Sequence, residues 1–226
     1  LVHHEFMHTI QFEMRVSDDY SDEESWYWEA SAQWAPEIVD AELNGYIFSV
    51  ENYANYPWYT YSSMENEHQY GMCILNAYIE ENHTGNGGMK EIWEQGRIMG
   101  NSYWDSIILE STGLSLMELW GGFVVAFGNE QLQDSFDYPS VWLSGTLRTD
   151  TVGSVFYLGT DYYQVDTDAT LTIDGNVLAS SPQGTGEEIQ VKVGDIVGIT
   201  GMQTDGESSY QVNLSEPEIE EEIEVE

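Results

Sequence analysis

The sequence predicts an α+β chain of more than one domain, mainly helical over residues 1–139 and then a small antiparallel β-sandwich over 140–215. Three observations predict this. Apolar residues recur at a helical period through the first part, the period changes to two after about residue 140, and an acidic run closes the chain over 216–226.

Residues 1–14 read as a helix whose apolar residues Phe6, Met7, Ile10 and Phe12 are expected to bury it. Residues 23–43 read as a second helix, opened by Asp22, Glu23 and Glu24, where the helix dipole favours acids. Pro36 is expected to bend or end it, and the polar link Ser17 to Asp22 to cap it. Residues 44–68 are rich in Tyr, Asn and Trp and read as a loop that either lines a cleft or covers the core. Helices follow at about 70–82, 88–97, 102–112 and 115–127, with glycines between them. In the last of these, Leu116, Leu119, Trp120, Phe123, Val124 and Phe127 keep a 3.6 period and read as core. Seven short β-rich segments then run from "VWLSGTLR" to "YQVNLS", separated by Gly, Asp and Asn turns. The final run, Glu216 to Glu226, repels itself and is expected to be disordered.

The stretch that carries chemistry is His4-Glu5-Phe6-Met7-His8. On a helix, residues i and i+4 share a face, so two imidazoles at this spacing can bind one metal ion from the same side. Glu5 projects beside them, where it can take a proton from water at the metal. A catalytic zinc usually has three protein ligands and an open position. Glu29 is the candidate third ligand, because a carboxylate among Trp26, Tyr27, Trp28, Ala30 and Ala32 is costly unless it is paired or bound to a cation. The small Ala30 and Ala32 would let the two helices approach. His3 lies about 100° round the helix from His4 and reads as a flanking residue.

Lys and Arg total 5 against 41 Asp and Glu, a formal charge of −36. Nucleic acid and anionic membranes need a cationic surface, so both are excluded as partners. A salty habitat, divalent-cation binding or high solubility would each account for such acidity. No apolar run reaches about 18 residues, so no membrane-spanning helix is expected. Cys73 is the one cysteine and reads as a buried thiol, with no intrachain disulfide. Calcium is a second possible cation, through Asp161, Asp166, Asp168 and Asp174. Their spacing fits no EF-hand loop, and ordinary turn acids are the better reading.

The pair "HHEFMHTIQF" and "WYWEASAQWAPE", followed by "NEHQYGMCILNAYIEENHTG", resembles the zincin metallopeptidases of the glutamate-ligand (gluzincin) type, closest to their secreted bacterial and archaeal members. The resemblance covers roughly residues 1–130 and implies a zincin-like catalytic domain. It implies His4, His8 and Glu29 as Zn2+ ligands and Glu5 as general base in the hydrolysis of a protein or peptide substrate. It also implies a Tyr or His that stabilises the oxyanion, for which His68 and Tyr70 are the candidates. Such enzymes place a subdomain with an edge strand before the metal helix. This chain begins inside that helix, so the subdomain is expected to lie ahead of residue 1. A secreted or cell-surface location follows from the same resemblance. The alternative is a non-catalytic metal-binding or adhesion protein of the same fold, using its acidic surface for cations.

Overall fold

A computed structural model describes residues 2–14, 22–99 and 103–217. The expected capping link at 17–21 and the acidic tail from 218 onward lie outside the described residues. Helices come first: α1 (Val2–Met14), α2 (Asp22–Val39), α3 (Ile47–Asn55), α4 (His68–Gly71), α5 (Cys73–Ile79), α6 (Gly88–Met99), α7 (Trp104–Thr112) and α8 (Leu116–Gly128). Among the described residues nine strands follow: β1 (Leu143–Thr146), β2 (Val152–Phe156), β3 (Thr160–Gln164), β4 (Ala169–Gly175), β5 (Val177–Ser181), β6 (Gly184–Gly186), β7 (Glu188–Val191), β8 (Ile196–Gly201) and β9 (Glu207–Ser215).

Three expectations change. α1 is not buried by its apolar residues: Phe6, Ile10 and Phe12 are 63 %, 39 % and 61 % exposed, and only Met7 of the four is buried. Its inward face is instead His4, Met7 and Gln11, at i, i+3 and i+7, so the seam against α2 is largely polar. The segment 44–68 is not all loop. Val50, Tyr53 and Ala54 bury one face of α3, and burial outweighs the poor helix propensity of its Tyr and Asn residues. The sheets are not wholly antiparallel, because β1 pairs with β3 in parallel across an irregularity between Leu143 and Gly145.

Other elements follow local chemistry. Ser115 caps α8 by accepting from the Glu118 amide, while the Glu118 carboxylate accepts from the Ser115 amide at 2.8 Å. Pro36 is accommodated near the end of α2, where its own carbonyl accepts from the Asp40 amide. No single helix among the described residues is long and apolar enough to cross a membrane.

The strands form a five-stranded sheet, ordered β1-β3-β8-β5-β6, and a four-stranded sheet, ordered β2-β9-β4-β7. They share one apolar core, with Tyr163, Ala179, Val197 and Ile199 from the first and Val155, Leu171, Ile173 and Val212 from the second. Strand β9 alternates buried and exposed residues, as a one-sided strand should. β8 is buried almost throughout, because α8 covers the other face of its sheet. Adjacent residues of β3 therefore enter different cores. Tyr162 joins the helical core and meets Tyr53 hydroxyl to hydroxyl at 3.0 Å, whereas Tyr163 joins the sheet core and meets the Tyr210 hydroxyl at 2.7 Å. α8 lies close enough to β8 that a Cβ at Gly198 would collide with Val124.

Candidate metal centre

Packing α1 on α2 brings His4, His8 and Glu29 together. Among the described residues they form a group whose donor atoms all lie within 4.8 Å of one another. The separations are 3.1 Å between the two Nε2 atoms, 3.3 Å from His4 Nε2 to Glu29 Oε2, and 3.5 Å from His8 Nε2 to the same oxygen. A tetrahedral zinc with ligand bonds of about 2.0–2.1 Å holds its donor atoms about 3.3–3.4 Å apart. The triangle thus has the edge length of one face of that tetrahedron. Glu29 Oε2 is buried with no hydrogen-bond partner of good geometry, an acceptor that a cation would satisfy.

The second nitrogen of each imidazole is also held. His4 Nδ1 lies 3.1 Å from Gln33 Oε1, and His8 Nδ1 lies 2.6 Å from Gln11 Oε1. Donation from Nδ1 to a carbonyl leaves Nε2 bare for a metal, the usual outer arrangement of a ligating histidine. Sequence reasoning passed over both glutamines. The signal available was weak: Gln11 stands three residues after His8 and Gln33 four after Glu29, one turn along in each helix.

Burial pushes the Glu29 carboxyl up, but the hydrogen bonds and positive charge that His4 and His8 supply when protonated together outweigh it and hold the pKa below the ordinary value. Tyr70 stands on α4 with its ring 5.8 Å from that of His4. Burial, then the negative charges of Glu29 and Glu67, raise its pKa, and a hydrogen bond to Glu29 and the charge of Glu5 add to this. Tyr70 therefore keeps its proton at neutral pH and can donate it in a hydrogen bond. Glu5 is exposed on α1 next to the pair.

His68 goes elsewhere. Residues two apart on a helix point about 200° from each other, so with Tyr70 facing the cluster His68 faces the core. It is fully buried, with Tyr53 and Tyr59 rings at 5.7 and 5.8 Å, and neither ring nitrogen has a partner of good geometry. Burial lowers its pKa to about 4, partly opposed by the Asn52 backbone. His3 is exposed and lines an apolar groove with Phe6, Ile10 and Trp93, away from the cluster.

The acids considered for calcium do not converge. Asp161 accepts from Ser144 and Tyr210, Asp166 pairs with Arg148 at 3.2 Å, and Asp168 accepts from the Val193 amide. These three act as turn and strand acids, each with its own partner, and Asp174 lies near the end of β4. The chain matches no protein-family model, no curated protein and no solved structure.

Proposed function

We propose that the chain carries the metal-binding part of a zinc-dependent endopeptidase of the zincin type, acting on protein or peptide substrates in a secreted or cell-surface setting. The observation that carries the reading is the triangle of His4, His8 and Glu29, whose edges of 3.1 to 3.5 Å suit a tetrahedral ion. The H-E-x-x-H spacing and the carbonyl-held Nδ1 atoms support it.

These residues fit zinc in donor type and spacing. When bound there, zinc would supply Lewis acidity toward water and the scissile carbonyl. His4, His8 and Glu29 hold and orient. Glu5, exposed beside them, takes a proton from the attacking water and returns it to the leaving amine. Tyr70, kept protonated by its surroundings, donates a hydrogen bond where negative charge develops on the substrate oxygen.

The test is zinc content after dialysis, beside two variants. About one zinc per chain is expected in the wild type, with loss in Glu29→Ala. Glu5→Gln is expected to keep the zinc and lose peptide hydrolysis. Chelator-sensitive turnover at wild-type rate in Glu5→Gln would sink the peptidase reading. Zinc binding without hydrolysis in the wild type would favour a non-catalytic metal-binding protein.

A further inference from the structure

The hydrogen bonds behind His8 can be directed in one way only. Trp93 Nε1 on α6 donates to Ser31 Oγ at 3.1 Å, and Gln11 Nε2 donates to the same oxygen at 3.0 Å. The Ser31 hydroxyl spends its one proton on the Tyr27 carbonyl at 2.5 Å. Gln11 Nε2 also donates to the Trp28 carbonyl at 3.0 Å. Carbonyls accept and never donate, so the NH2 end of Gln11 must face α2 and its oxygen must face His8. That oxygen can only accept. His8 Nδ1, 2.6 Å away, therefore carries the hydrogen, so that a neutral ring has its Nε2 bare toward His4 and Glu29.

We propose that Gln11 is a positioning residue that fixes His8 in the Nδ1–H tautomer before any ion arrives, so that the site is preset for metal. The use of this arrangement rests on the metal-centre reading above, but the tautomer itself is a property of the metal-free chain. Gln11 is wholly buried, and its anchors come from two different turns of the same helix. Rotation of its amide would set its oxygen against the Trp28 carbonyl, at a cost of about 1–3 kcal/mol for the unsatisfied groups. The tautomer is thereby tied to the packing of α1, α2 and α6.

The test uses the whole metal-free chain with 15N-labelled histidine at about pH 8, where long-range proton–nitrogen correlation spectra distinguish the tautomers. The wild type should show His8 as Nδ1–H. Gln11→Met, similar in volume and without an acceptor, should shift His8 toward Nε2–H and leave His4, held by Gln33, unchanged. Gln11→Glu keeps an oxygen facing His8 and should restore Nδ1–H, at a cost in stability because its second oxygen meets the Trp28 carbonyl. Zinc affinity, measured by chelator competition, should fall about 10- to 100-fold in the methionine variant and recover in the glutamate variant. A wild-type His8 found as Nε2–H overturns the proposal without any variant. So does a folded Gln11→Met chain with unchanged tautomer and affinity, because Gln11 would then only fasten α1 to α2. A wild type with the stated tautomer that binds no zinc overturns the metal-centre reading and leaves the Gln11–His8 assignment standing, so the two failures are distinguishable.

Discussion

His4 Nε2 and His8 Nε2 face each other at 3.1 Å, each with its ring turned by a glutamine carbonyl on the far side. With no proton between them two ring nitrogens at that distance repel, and a cation shared with Glu29 would remove the repulsion. Under the metal-centre reading, binding of an ion would relieve that cost, so metal and fold should be coupled.

Zinc should therefore raise the thermal midpoint. A ligand at 100 times its dissociation constant stabilises the native state by about 2.7 kcal/mol. Differential scanning fluorimetry with zinc and with chelator should show the shift in the wild type, and no shift in Glu29→Ala. Equal shifts in both proteins would mean that zinc binds elsewhere.

Tyr70→Phe removes one hydroxyl and little volume. Under the peptidase reading it should lower kcat about 100-fold, the cost of one oxyanion donor, and leave zinc content unchanged. A drop in zinc content would instead assign Tyr70 to holding Glu29.

His68 makes a prediction independent of function. Its pKa is about 4 in the fold and about 6.5 in an unfolded chain. Between those values the unfolded state binds the extra proton, so stability falls as pH drops from about 6.5 to 4, by about 3 kcal/mol in total. Above pH 6.5 this contribution is constant. His68→Phe, between Tyr53 and Tyr59, should flatten that part of the profile in urea melts. An unchanged slope would mean that His68 does not titrate with unfolding.

Gly198→Ala should cost about 1–3 kcal/mol, because its Cβ meets Val124 and also lies 2.9 Å from Thr160 Cγ2. Val124→Ala alone also destabilises, by cavity formation. The double variant should lose less than the sum, and strict additivity in denaturant unfolding would contradict the contact.

The His4, His8 and Glu29 cluster was legible because the histidine spacing is a helical repeat and Glu29 stands alone among aromatics. The glutamines behind them were not, since an amide three residues from a histidine has no pattern until a second helix supplies its donors and acceptors. The burial of α1 was misread for the same reason: satisfying His4 and Gln11 against α2 took precedence over hiding Phe6 and Phe12. Strands β5 and β6 were passed over because "VLASS" and "GTG" are small and polar. The burial of β5 comes from α8 and the facing sheet, which a local window does not contain, and β6 is largely exposed. The parallel β1–β3 pair depends on four residues whose partner is chosen by the chain's return path.

Tyr162 and Tyr163 give this chain a particular inheritance. One strand faces helices with the first ring and strands with the second, so the β part is not a cassette that recombination could lift out whole. An excised 140–217 piece would bare Leu158 and Tyr162, and the helical remainder would lose the hydroxyl that answers Tyr53. Change at Tyr162 in one half is thus constrained by Tyr53 in the other.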